Sequence, residues 1–137
     1  MVLGSLAFLE RNDVSAALAM LNFDMQGLIT EPVIIGDPDL VATLAEILRE
    51  AGDFPIRPGD FPPFTSSDHV AFADAGVPAV TITSGDDGAI HSPRDDFDHI
   101  DAQAIAIMFA IADALLQGLL SPEASGADIE RALVPAA

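Results

Sequence analysis

Two side chains stand where an α/β chain can place chemistry. Asp24 ends the apolar run at 16–23, and His91 lies in the long polar loop that follows the run at 78–83. A carboxylate and an imidazole together are donors suited to a hard or borderline cation such as zinc. The chain has no cysteine, so any metal must be held by His, Asp or Glu, and disulfides and thiolate sites are excluded. Each residue also has a plainer reading, since an Asp after a strand commonly belongs to a turn and a loop His is commonly solvated. They become a pair if their strands run parallel, because both then leave the sheet at the edge where ligand crevices of α/β folds lie.

The elements that must hold them can be read along the chain. Residues 4–11 read as a helix. Residues 16–23 have a length that fits a buried strand better than a helix, ended by Asp24 and bounded by Gly27. Residues 33–35 form a second short strand closed by Gly36. Asp37 and Pro38 supply an N-cap and a first-turn proline, and Leu40, Val41, Leu44, Ile47, Leu48 and Ala51 follow at helical spacing to Gly52. Residues 53–66 hold four of the ten prolines and read as loop. Ser66 or Ser67 is expected to cap a short helix through Asp68, Val70, Phe72 and Ala75, stopped by Gly76. Residues 78–83 read as a strand and 84–98 as a polar loop. Asp101 caps a closing helix whose buried stripe is expected to be Ile105, Met108, Phe109, Ala112, Leu115, Leu116 and Leu119. The order α, β, β, α, α, β, α predicts an α/β fold with helices covering a mostly parallel, mixed sheet.

The charge excludes one class of partner. With 22 acidic residues against five arginines and no lysine, the formal charge is -17, which leaves no basic footprint for nucleic acid. Half of the 137 residues are hydrophobic, and the mean hydropathy is +0.41. A single small domain exposes much of its surface, so this richness predicts an apolar face meant to be covered. The longest apolar run, at 105–120, is interrupted by Asp113, Gln117 and Gly118 and is expected to be too broken and short to span a bilayer. No signal-peptide pattern opens the chain.

Four stretches, in order, carry a family resemblance. They are Leu3-Gly4-Ser5-Leu6-Ala7-Phe8; Leu21-Asn22-Phe23-Asp24-Met25-Gln26-Gly27; Ser67-Asp68-His69-Val70-Ala71-Phe72 with Ala75-Gly76-Val77-Pro78-Ala79; and His91-Ser92-Pro93-Arg94-Asp95-Asp96 with Asp98 and Ile100-Asp101. Together they resemble the two-zinc aminopeptidases of the twenty-eighth metallopeptidase family, the group of bacterial leucyl aminopeptidase and aminopeptidases S and Y. The resemblance implies the zinc-exopeptidase (phosphorylase/hydrolase-like) fold, lacking its N-terminal side. Residues 1–120 would be the C-terminal part of the catalytic domain, and 121–137 a weakly ordered tail.

By that resemblance Asp24 is a terminal ligand of one zinc ion and His91 a ligand of the other. The family's bridging Asp, its second His, a ligand Glu and the neighbouring Glu that acts as general base come earlier in its order. The glutamate pair would stand where this chain has Met1-Val2. Two cations about 4 Å apart polarise the peptide carbonyl and acidify a bridging water, and the base relays its proton. A chain with one ligand per metal and no catalytic residue is expected to hold zinc weakly or not at all and to be inactive by itself. Asp68, His69 and Asp95 are expected to line the floor of the site or hydrogen-bond its ligands. Ile90 is expected beside the substrate side chain, and His99 on the surface. The implied partners are peptide substrates, the N-terminal half of the domain, and further copies through an exposed face. Members of the family are often secreted.

Two other readings use the same scaffold. A glutaminyl-cyclase-type acyltransferase would carry a single zinc, but Asp24-Met25 and His91-Ser92-Pro93 look more like the peptidase branch. A non-catalytic interaction module would be expected to have replaced its ligands, whereas both ligands that could remain are present.

Overall fold

In the computed structural model, residues 3–28, 32–60, 67–83, 88 and 91–121 are described. Strand β4 (Ala79–Thr83) runs through the middle of the sheet, and its first four residues are buried. On one side it pairs in parallel with β1 (Met20–Asp24), from Met20 opposite Ala79 to Asp24 opposite Thr83. On the other side it pairs antiparallel with β2 (Val33–Gly36), which in turn pairs in parallel with the two-residue β3 (Arg57–Pro58). The order is β1-β4-β2-β3, a mixed sheet in which two of the three pairings are parallel. The expected strand at 16–23 is narrower, because pairing begins only at Met20. The loop expected at 53–66 contains β3, while residues 61–66 lie outside the described residues.

Side chains alternate across this sheet. Leu21, Phe23, Val80, Ile82 and Ile34 face α2 (Pro38–Ala51) and α4 (Ala102–Leu120), joining Leu40, Leu44, Leu48, Met108, Ile111 and Leu115 in one apolar core. α3 (His69–Asp74) packs on the opposite side of β4 and β1, and α1 (Leu3–Leu9) packs on α3. The rings of Phe8 and Phe72 meet there at 5.9 Å.

α2 begins as its sequence predicts. The Asp37 carboxylate accepts from the Asp39 and Leu40 amides at 3.1 and 2.9 Å, and Pro38 fills the first turn. Gly52 closes it in an extended conformation rather than a left-handed one, with its amide donating to the Leu48 carbonyl. Gly36 is required by close approach. It has a φ of +144°, and a Cβ there would strike the Ala79 carbonyl oxygen and Val80 Cα.

α4 departs from expectation in its rotation. Its buried positions are Ala104, Met108, Ile111 and Leu115, whereas Ile105, Phe109 and Leu116 are exposed. Nearly every residue of α4 is apolar, so its sequence has no polar face to fix the phase; packing on α2 does so instead. Gly118 permits that contact, since a Cβ there would collide with the Ile47 side chain of α2. The helix also corrects the expectation of too short a run. By length and composition its 19 residues could cross a membrane, yet one face is sealed into the core and Asp113 and Gln117 are exposed.

Candidate metal-ligand site at the strand ends

Asp24 is the last residue of β1, exposed at its C-terminal end and in register with Thr83, the last residue of β4. Alternation puts it on the same face as Asn22, which lies opposite Thr81. On that face the Ser67 hydroxyl donates to Asp24 Oδ2 at 2.7 Å. The Asn22 amide nitrogen donates to Ser67 Oγ at 2.7 Å and to Thr81 Oγ1 at 3.1 Å. Ser67 and Thr81 are buried, Asn22 is partly buried, and Asp24 is the exposed end of this polar chain. Among the described residues no hydrogen bond engages the other Asp24 oxygen, Oδ1.

Ser67 was expected as a helix cap, and the structure corrects that reading. The N-cap of α3 is Asp68, with no side-chain cap bond, and the Ser67 hydroxyl is committed to Asp24. Asp68 Oδ1 instead accepts from Ser5 Oγ at 2.8 Å, tying α1 to the start of α3 beside Ser67. His69 is buried at the head of α3, and burial pushes its imidazole below the usual histidine value, toward the neutral form.

The chain turns sharply after Asp24. Met25 adopts a left-handed φ of +56°, and Gln26 Nε2 donates to the Asp24 and Ile82 carbonyls, clamping the ends of β1 and β4 together. Among the described residues, His91 is the other non-glycine residue with positive φ, at +59°. Left-handed non-glycine residues cost about 1–2 kcal/mol each and concentrate at functional sites. Here one follows the first candidate ligand and the other is the second candidate.

His91 is exposed, and its backbone amide donates to Asp95 Oδ2 at 3.2 Å. Ser92 closes the same turn by accepting from the amides of Arg94 and Asp95. Farther along, the Asp96 carboxylate accepts from the Asp98 amide and contacts His99 Nδ1 at 3.1 Å, which holds it below the usual carboxylate range. The His99 side chain is partly exposed, with Nδ1 on Asp96. The loop starts at Thr83, beside Asp24, and returns to the same strand end. The Asp101 amide donates to the Gly27 carbonyl at 2.8 Å, and Ile100 lies over Gly27. Ile90 lies outside the described residues.

The donors suit zinc in type and access. Asp24 offers an exposed carboxylate with one tethered oxygen, and His91 an exposed imidazole. Among the described residues, however, no group of three or more His, Asp or Glu side chains gathers into a metal-holding cluster. These residues do not form a complete centre by themselves. Sequence reasoning missed the Thr81–Asn22–Ser67 chain behind Asp24. Its signal was a polar Asn and Thr at inward positions of otherwise apolar strands.

The family model described as Peptidase family M28 matches residues 1–116. No curated protein matches the sequence. Among solved structures, BSAP, a zinc aminopeptidase from Bacillus subtilis, superposes with a TM-score of 0.70 at 18% identity, over 86% of this chain and 32% of that one. A medium-resolution structure of BSAP gives 0.71 at 20% identity, over 93% and 35%. The LapA aminopeptidase of Legionella pneumophila gives 0.72 at 19% identity, over 88% and 36%. The chain thus spans about a third of the length of these solved chains. Its sheet and flanking helices are part of the zinc aminopeptidase fold. With the family model covering most of its length, the chain belongs to peptidase family M28.

Proposed function

We propose that this chain contributes Asp24 and His91, one to each of two zinc ions, to an aminopeptidase centre that cleaves N-terminal peptide bonds. The remaining ligands and the general base come from outside its 137 residues. The observation that carries this reading is the Asp24 carboxylate itself. It stands at the end of a strand parallel to β4, with Oδ2 held by buried Ser67 and Oδ1 directed to no other group among the described residues. Support for His91 comes from its loop, which leaves β4 beside Asp24 and returns to Gly27.

In such a centre zinc supplies Lewis-acid polarisation of the scissile carbonyl and acidifies the attacking water. The chain's own residues perform the holding. Ser67 restricts Asp24 to one presentation, and the Asp95 contact to the His91 amide shapes the turn from which the imidazole projects. Asp68, bonded to Ser5, keeps α1 against the same wall of the site.

The test is complementation. The chain alone, with or without zinc, is expected to leave leucine p-nitroanilide intact. Combined with a polypeptide carrying the family's earlier ligands and glutamate base, it is expected to hydrolyse that substrate in a zinc-dependent way. Asp24→Ala or His91→Ala should then each lower kcat/KM by at least about 100-fold, since loss of a ligand disturbs both affinity and geometry. Activity of the chain alone, or full activity in both alanine variants, would overturn the proposal.

A further inference from the structure

We infer that Asn22 is a positioning residue for Asp24, acting through Ser67: it forces the Ser67 hydroxyl to donate to Asp24 Oδ2 and so leaves Oδ1 as the single ligating oxygen. The inference rests on the reading of Asp24 as a zinc ligand and names the group that sets its presentation.

The direction of each bond follows from what the groups can do. An ionised carboxylate only accepts, so in the 2.7 Å contact between Ser67 and Asp24 the single hydroxyl hydrogen belongs to Ser67 and points at Oδ2. Ser67 Oγ can then only accept from its other neighbour, and Asn22 presents its NH2 group there at 2.7 Å. The second hydrogen of that NH2 group goes to Thr81 Oγ1 at 3.1 Å, across the β1–β4 pair. Both amide hydrogens are thereby spent on hydroxyl oxygens.

A hydroxyl would otherwise rotate among several partners, but Ser67 has no such freedom. With a donor-only nitrogen on one side and an acceptor-only carboxylate on the other, its proton has one place to go. The chain runs Asn22 to Ser67 to Asp24, with Thr81 anchoring the amide from β4, and two of its members are buried. Asp24 is exposed; without this chain its carboxylate would sample several rotamers and could offer either oxygen, or both, to a cation. Partners behind a metal ligand typically alter metal affinity 10–100-fold.

The test reads the carboxylate first without metal, in the full chain. The Asp24 Hα–Hβ couplings measured by NMR are expected to report one χ1 rotamer in the wild type. In Asn22→Leu and in Ser67→Ala they should be rotamer-averaged to the same degree, and the double variant should show no further averaging. Asn22→Asp, which keeps the side-chain shape but removes the donor, repeats the test should Asn22→Leu fail to fold. In the complemented enzyme, Asn22→Leu should raise the zinc concentration for half-maximal activity about tenfold, with kcat at saturating zinc little changed.

Single-rotamer couplings retained in both Asn22 variants would overturn the inference, as would effects of Asn22 and Ser67 that add. A different result would overturn the ligand reading instead. That is unchanged zinc dependence in Asp24→Ala, whatever the Asn22 variants do.

Discussion

The two faces of the sheet are built from the same strands by opposite chemistry. On the α2–α4 face, Val80 and Ile82 meet Leu44, Ile111 and Leu115 in an apolar core closed to water. On the α1–α3 face, the intervening residues Asn22, Asp24 and Thr81 form a hydrogen-bonded chain with Ser67 that opens at one carboxylate. One face supplies stability through area removed from water. The other gives up part of that gain to hold polar groups in fixed directions, as a ligand site requires. A one-residue shift of register would exchange the two sets, so the pairing of β1 with β4 carries both tasks at once.

The sharpest way to break this comparison is to truncate one side chain on each face. Leu44→Ala, at a fully buried position, should cost about 2–5 kcal/mol in urea unfolding. Asp24→Ala, exposed at the strand end, should stay within about 0.5 kcal/mol. Equal losses would show that the site face carries as much of the stability as the core.

Ser67→Ala should fall between, at about 1–3 kcal/mol, because it removes the acceptor of the part-buried Asn22 amide. A smaller loss would mean that water replaces the hydroxyl.

His69 gives the site face a pH signature. Its pKa is lowered in the folded protein, so as pH falls below about 6.5 the unfolded chain takes up the proton first. Its contribution is complete above that pH and is lost as pH falls toward the folded value, by at most about 1.4 kcal/mol per pH unit. Urea unfolding from pH 7.5 to 5 should show this slope in the wild type, and His69→Gln should flatten it.

The smallest effect on stability is expected on the outer side of α4, where Ile105, Phe109, Leu116 and Leu120 are exposed. Phe109→Asp should change the unfolding free energy by less than about 0.5 kcal/mol. It should nevertheless reduce concentration-dependent association in sedimentation velocity, since contiguous exposed apolar patches favour contact between copies. Unchanged association would assign the surface no such part.

Elements with contrast in their sequence were legible. α2 announced itself through Asp37, Pro38 and a clean alternation of apolar and polar positions. β4 and β2 stood out as short apolar runs ended by turn residues, and the place of Asp24 at the end of β1 followed from the run before it. β3 was hidden, because two residues of Arg and Pro carry no strand signal and are recruited only by the edge of β2. The role of Ser67 was hidden too. A serine just before a helix is locally a cap, and only the 43-residue excursion that brings it back beside Asp24 turns its hydroxyl elsewhere.

By itself, the sequence determined the α/β order and the capped helix α2, which rest on local periodicity and residue chemistry, and the family and its two candidate ligands, which rest on the resemblance of four motifs. Only the tertiary structure decided which side of α4 is buried, which strands are neighbours, and which oxygen of Asp24 is held. An apolar helix has no preferred rotation until Ile47 and Gly118 meet, and a hydroxyl has no preferred acceptor until distant segments enclose it.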